Sequence, residues 1–267
     1  MDDTIVNKCF TTILNYKKMK SKHDPDMSHM TRNDYKNVYE YNDDTYLLVD
    51  ALEKDYIDNH LLNSKFGIKF CLEIGSGSGY VTTFFYRLLH NKYEEIMKRH
   101  QLEHVDENSQ LSFVFLCSDI NPNAAQMTVK TFERNKQEPK TLPFCFDVIL
   151  SDFNSAFRKR MKNKFDVLIF NPPYVPSEQD EMGHNDVRAA YAGGENGREV
   201  IDRFLPLVQD ILSNDGVFYF VLIEENSPFE IMKLMSLEEN GCFKSEVVLK
   251  KRIQGEYLFI VKFFRGK

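Results

Sequence analysis

The chain has 267 residues, of which 42% are hydrophobic and 28% charged, an ordinary balance for a soluble globular protein and neither that of a membrane-embedded nor of a disordered one. A formal charge of −6 argues against a broad basic face for gripping a nucleic-acid backbone. A chain of this length buries roughly 75% of the surface of its unfolded form, so it needs no disulfide or metal staple.

The five cysteines (Cys9, Cys71, Cys117, Cys145, Cys242) form no C-x-x-C pair; three sit in apolar runs and read as buried thiols. That usage points to a reducing compartment and away from a cysteine metal site. His100 and His104 stand four apart among Lys, Arg and Glu, which reads as a solvated helix face rather than a metal site. Met1-Asp2-Asp3-Thr4 does not open a signal peptide, and no apolar run is long enough to span a bilayer. The expectation is a cytoplasmic protein, with nuclear presence possible, and no metal.

In chain order, residues 1–37 are polar and rich in Lys and Asp, and are expected to form a partly disordered extension with one short helix near residues 5–16. Residues 38–267 are expected to form one domain. Tyr46-Leu47-Leu48-Val49-Asp50-Ala51-Leu52 begins a helix, with Asp43, Asp44 or Thr45 as its cap. Residues 68–74 read as a strand that runs into Gly75-Ser76-Gly77-Ser78-Gly79, followed by a helix over 81–89. Strand, glycine turn and helix bring backbone N–H groups and a helix start to a ligand. A dinucleotide fingerprint would need a third glycine where Tyr80 stands. Glu73, two residues before the first glycine, suits an ammonium or hydroxyl groups better than a pyrophosphate.

Residues 91–110 look like an insertion or a helix extended into solvent. The strand at 112–118 ends in Asp119-Ile120-Asn121-Pro122, where an Asp at the second strand tip holds ribose hydroxyls in this architecture. The alternative is a cap for the helix that starts at Pro122, a role Asn121 also fits. The strand at 144–150 ends in Ser151-Asp152-Phe153, with Asp152 expected at an adenine amino group and Phe153 at its ring; the alternative is again a helix cap.

The apolar strand 165–170 ends in Asn171-Pro172-Pro173-Tyr174, stopped because neither proline has an N–H to donate. In open α/β sheets the ligand crevice lies outside such strand ends. The Asn171 side-chain oxygen and the Pro172 carbonyl are two acceptors suited to fixing a planar NH2 group, and Tyr174 offers a stacking face. A nitrogen held there is a plausible acceptor for an electrophilic methyl group; the bland alternative is that Asn-Pro-Pro is a turn. The long polar loop 175–198 beside it reads as a substrate-binding segment. A helix over 201–212, a strand over 217–223, a helix over 227–239 and strands over 243–250 and 256–264, joined at Gln254-Gly255, complete the pattern. An α/β repeat closed by a hairpin predicts a seven-stranded sheet whose last strand runs antiparallel.

These residues together resemble the class I S-adenosylmethionine-dependent methyltransferases with their Rossmann-like α/β fold. More narrowly they resemble the HemK/PrmC-type glutamine methyltransferases of peptide-chain release factors, in the compact eukaryotic and archaeal branch. The match spans about residues 38–264. It rests on Val38-Tyr39-Glu40 with Asp44-Thr45-Tyr46-Leu47-Leu48, on Cys71-Leu72-Glu73-Ile74 with the glycine turn, on Asp119-Ile120-Asn121-Pro122, on Asn171-Pro172-Pro173-Tyr174-Val175 and on Ala192-Gly193-Gly194 through Asn196-Gly197-Arg198-Glu199-Val200. The extension, the 91–110 stretch and extra residues near 136–143 depart from it.

The resemblance implies sheet order 3-2-1-4-5-7-6 and S-adenosylmethionine bound by Thr45, Glu73, Gly75, Gly77, Asp119, Asp152, Phe153 and Asn171. It implies catalysis at Asn171, Pro172, Pro173 and Tyr174, with N5-methylation of the glutamine in the Gly-Gly-Gln loop of a class 1 release factor. It also implies a small zinc-binding activator subunit. In that sheet order residues 144–150 form an apolar edge strand, an aggregation hazard unless something pairs with it, so the partner is expected there. N6-adenine methylation of DNA uses the same Asn-Pro-Pro-Tyr corner but fits the acidic charge poorly, and direct nucleic-acid binding is not expected. Protein lysine methylation requires an ammonium to lose a proton first. A non-catalytic scaffold is disfavoured by the presence of Glu73, Asp119 and Asn171, and a nicotinamide dehydrogenase by Tyr80 and the lack of an evident proton donor.

Overall fold

The computed structural model describes residues 21–61, 67–99, 111–137, 143–253 and 256–266. Its strands are β1 (Gly67–Ile74), β2 (Leu111–Asp119), β3 (Phe144–Leu150), β4 (Phe165–Phe170), β5 (Leu212–Ile223), β6 (Phe243–Ile253) and β7 (Glu256–Arg265). They pair into one sheet in the expected order, β3-β2-β1-β4-β5-β7-β6. Strands β1 to β5 run parallel, and β7 lies antiparallel to both β5 and β6. The chain order reverses between β1 and β4, which pair through Ile74 and Phe170. That register sets Gly75 and Asn171 side by side at a topological switch point, where ligand crevices form.

Helices α1 (Asp43–Ala51), α2 (Tyr80–Arg99) and α3 (Pro122–Asn135) cover one face, and α4 (Glu199–Phe204), α5 (Val208–Ile211) and α6 (Pro228–Met235) the other. The central strands are buried on both faces, with every residue of β4 but Asp166 fully buried, which is why they read as continuous apolar runs. Buried Lys262 on β7 is the exception: the Asp55 carboxylate accepts from its Nζ at 2.8 and 2.9 Å and from Tyr219 Oη at 2.6 Å, so the charge is paired.

Several local expectations are corrected. The cap of α1 is Asn42, in extended conformation, whose side chain accepts from Asp44 N; Asp43, Asp44 and Thr45 lie inside the helix. The helix expected over 201–212 is broken around Pro206 into α4, a 3-10 turn Leu205–Leu207 and α5, and Leu212 already belongs to β5. Likewise α6 stops at Met235, before the expected 239. Of the thiols in strand runs, Cys71 and Cys117 are buried but Cys145 is exposed, because β3 is an edge strand covered on one side less than β1 and β2. Part of the 91–110 stretch continues α2 to Arg99. Within the extension, Asp26 N donates to Asn135 Oδ1 at 2.7 Å and Tyr80 Oη donates to Asp24 at 2.9 Å, so residues 21–37 pack along α2 and α3. The short helix expected near 5–16, His100, His104 and the Gln254-Gly255 turn lie outside the described residues. Among the described residues no helix is long and apolar enough to cross a membrane, and no cluster of metal-ligating side chains is present.

Candidate active site

At the carboxyl ends of β1, β2 and β4 a cleft of about 200 Å³ is lined by Gly75, Gly77, Asp119, Asp152, Phe153, Asn171 and Pro173 among the residues singled out above. Its outer wall is residues 181–186, 189 and 190 of the polar loop, with Val200 and Arg203 of α4. Thr45, Glu73, Pro172 and Tyr174 stand behind this lining rather than in it.

The glycine turn is shaped by its neighbours. Gly75 N donates to Ser118 O at 2.7 Å and Gly77 N to Asp119 Oδ2 at 2.9 Å, so the tip of β2 holds the turn after β1. A Cβ at Gly79 would lie 2.8 Å from Thr128 Cα, so this glycine lets α3 approach the turn directly. Asp119 also accepts from Asn121 N at 2.9 Å, while Asn121 itself caps α3 by accepting from Asn123 N. Of the two roles weighed for Asp119, the cap belongs to Asn121, and the Asp119 carboxyl, raised by burial above the usual carboxylate range, lies at the cleft.

Glu73 is buried and accepts from both Thr82 N, at 2.9 Å, and Thr82 Oγ1 at the start of α2. Burial pushes its carboxyl up to about 8, against the lowering effect of those two bonds. Thr45 is buried too, and its Oγ1 donates to Asp44 at 3.2 Å. Asp152 is half-exposed and pairs with Arg203 Nη2 at 2.7 Å; the Arg203 guanidinium also lies over the Phe153 ring, 5.1 Å from its centre.

The Asn-Pro-Pro-Tyr corner is held from two sides. On one, Asn171 Nδ2 donates to Asp44 Oδ2 at 2.9 Å and Tyr174 Oη to the same oxygen at 3.0 Å. On the other, buried Asn226 donates to the carbonyls of Tyr174 and Asn196, both at 3.0 Å, and accepts from Ile223 N at 2.9 Å. The Asn226 amide thereby ties the end of β5, the diproline turn and the glycine-rich end of the polar loop together. Asn171 Oδ1 is buried and has no hydrogen-bond partner among the described residues. A buried acceptor without a donor costs about 1–3 kcal/mol, and this one belongs to a residue that lines the cleft.

Sequence reasoning missed Arg203 and Asn226, neither of which carries a local motif, and weighed Asp44 only as a helix cap. Asp44 did stand inside the matched stretch beside Thr45, which was the available signal.

No family model matches the chain. It is 36% identical to human methyltransferase HEMK2 over 242 residues, covering 91% of this chain and 96% of the relative. It is 32% identical over 245 residues to the eRF1 methyltransferase catalytic subunit mtq2 of Schizosaccharomyces pombe, covering 90% and 95%. Among solved structures, the E. cuniculi Mtq2–Trm112 complex responsible for methylation of the eRF1 termination factor superposes with a TM-score of 0.50 at 25% identity, over 86% of this chain and 99% of that one.

Proposed function

The chain belongs to the HEMK2/Mtq2 family of HemK-type class I methyltransferases, and from that premise we propose that it methylates the N5 nitrogen of the glutamine in the Gly-Gly-Gln motif of a class 1 release factor, as the catalytic subunit of a heterodimer. S-adenosylmethionine is its methyl donor, and the cleft suits that group. Asp119 offers a carboxylate for the ribose hydroxyls, Phe153 an aromatic edge and Asp152 an acceptor for the adenine, and Gly75 and Gly77 a backbone without side chains to block approach. Glu73 and Thr45 support this wall from behind. When bound, the cofactor supplies an electrophilic sulfonium methyl.

The observation that carries the reading is the unpartnered, buried Asn171 Oδ1. It would accept one hydrogen of a glutamine amide and hold the nitrogen in line with the methyl group; Pro172, whose carbonyl was expected to take the other, lies behind the lining. An amide nitrogen is a poor nucleophile, so orientation is the main contribution the protein can make. The nitrogen becomes acidic only as the methyl arrives, and its proton can leave to water without a dedicated base.

The assignment is tested by tritium transfer with the activator subunit present, offering release factor, its Gln-substituted form and DNA. Label only on the unsubstituted factor is expected; label on DNA, or label that survives the substitution, refutes it.

Burial of Glu73 gives a second expectation. A carboxyl whose pKa lies near 8 in the free protein is mostly protonated at neutral pH, and a nearby ligand ammonium favours its ionised form. Cofactor binding should therefore release a proton, and affinity should rise with pH up to about 7.5, where an α-ammonium still keeps its charge. Calorimetry in buffers of different ionisation enthalpy measures the release; Glu73→Gln should abolish it.

The two sheet edges differ in a way that supports the heterodimer. On β6, Lys244, Lys250 and Arg252 are exposed, charges that discourage further strand pairing. On β3, Leu150 is 58% exposed and Asp147 is the lone charge. A small partner that adds a strand at β3 would cover that edge. Expressed alone, the chain is expected to aggregate, and co-expression with the activator should recover a soluble 1:1 complex. A chain that stays monomeric at high concentration without it would argue against this site.

A further inference from the structure

Asp44 sits in the first turn of α1, far in sequence from the diproline corner, and is 3% exposed. Its Oδ2 accepts from Asn171 Nδ2 at 2.9 Å, Tyr174 Oη at 3.0 Å and Tyr39 Oη at 3.0 Å. Its Oδ1 accepts from Thr45 N at 2.6 Å and Thr45 Oγ1 at 3.2 Å. Tyr39 Oη in turn accepts from Asn42 Nδ2 at 2.8 Å, which leaves the hydroxyl proton for Asp44. Among the described residues, every hydrogen bond to the Asp44 side chain is thus one that it accepts.

A side-chain amide has two orientations related by a flip, and they present opposite faces: one an oxygen, the other an NH2 group. Against an oxygen that only accepts, Asn171 is restricted to the orientation with Nδ2 toward Asp44. Its Oδ1 is then on the side away from Asp44, in a residue that lines the cleft, and it is buried without a partner among the described residues. The flipped amide would set oxygen against oxygen at Asp44 and turn an NH2 group toward the substrate.

We propose that Asp44 is a positioning and specificity residue: by fixing the flip of the Asn171 amide it makes the site read a donor, so that a glutamine side chain is accepted and a glutamate refused. This rests on the glutamine-methyltransferase reading above. Asp44 touches neither reacting atom, and acts through Asn171 and Tyr174. Asp44 does not line the cleft itself.

The test uses the heterodimer with Asp44→Asn, Asn171→Asp and the double variant. Asp44→Asn keeps the shape but offers Asn171 either flip. The double variant exchanges the two groups: the new amide at 44 donates to one oxygen at 171, and the other oxygen is again an acceptor on the side away from 44. Turnover of Asp44→Asn is expected to fall about 100-fold, the scale of losing one aligned polar group, with cofactor affinity within about threefold of the parent. The double variant should exceed both single variants by at least about tenfold, as coupled neighbours do.

Binding of release-factor peptides that carry Gln or Glu at the target position, measured with the demethylated cofactor present, reports the flip without turnover. The parent should prefer Gln, and Asp44→Asn should shrink that preference about tenfold. Melting temperature and cofactor affinity establish that each variant is folded. An Asp44→Asn protein that keeps full turnover and the full Gln preference overturns the proposal. So does a double variant no better than the worse single one while still binding cofactor, or an Asp44→Asn protein that cannot bind cofactor, which would make the residue part of that site or of the fold. A parent that fails to prefer Gln at all would instead remove the glutamine reading itself.

Discussion

Asn171→Ala is expected to lower methyl transfer at least about 1,000-fold while changing cofactor affinity by less than about threefold. The residue's two polar ends have separate tasks: Nδ2 is spent on Asp44, and Oδ1 is left for the substrate amide. Truncation removes the acceptor that aligns the nucleophile, and losing alignment at a reacting centre costs orders of magnitude in rate. The corner itself should survive. Asp44 Oδ2 keeps the Tyr39 and Tyr174 hydroxyls, and Asn226 still holds the Tyr174 carbonyl. Single-turnover transfer with titration calorimetry of the cofactor on the same preparation gives the comparison. A large loss of cofactor binding would move Asn171 from the substrate side of the cleft to the cofactor side.

Gly197→Ala should be nearly as damaging, from a position that touches no ligand. Gly197 has φ +66°, and a Cβ there would lie 1.9 Å from the Tyr174 carbonyl oxygen and 2.7 Å from Asn226 Nδ2. Neither atom can yield alone, because Asn226 bonds that same carbonyl and the end of β5. Accommodating the methyl group means displacing the backbone that follows the two prolines, and with it the direction of Asn171. The expected cost is about 3 kcal/mol of stability from overpacking and backbone strain, with turnover down more than about 100-fold. Gly183→Ala is the comparison: its φ of +75° is equally unfavourable for alanine, but nothing lies within 4 Å of the new Cβ. In stability it should cost only the backbone strain, about 1–2 kcal/mol, although Gly183 itself lines the cleft. Melting temperatures and turnover of the two variants measure the difference. Equal effects would mean that the loop does not buttress the corner.

Strands β1 to β4 and the stretches that form the cleft were legible because each is a local pattern, whereas the sheet order came only from the family resemblance. An apolar run of six to nine residues that ends in glycine, aspartate or diproline states both a buried strand and its end. Where the reading slipped, two local signals competed. Asn42, Asp43, Asp44 and Thr45 are all capping residues, and only the extended backbone at Asn42 separates the cap from its neighbours. The periodicity of 201–212 looks helical through Pro206, yet the chain breaks there and Leu212 joins the sheet opposite Phe165. Cys145 sits in an apolar run like that of Cys117, but β3 is at the sheet edge and β2 is not, so one thiol is exposed and the other buried.

By itself, then, the order of residues determined which groups stand at the strand ends: Glu73, Gly75, Asp119, Asp152, Phe153 and Asn171. A strand-to-loop transition is written in consecutive residues, and these six are all written there. Tertiary structure alone decided how those groups are used. Asp44 meets Asn171, Asn226 meets Tyr174 and Arg203 meets Asp152 across long stretches of chain, through contacts that no spacing rule encodes. The reason is physical: a helix or strand has a repeat that sequence can echo, whereas the direction of one amide depends on which acceptor the folded chain brings to its other side.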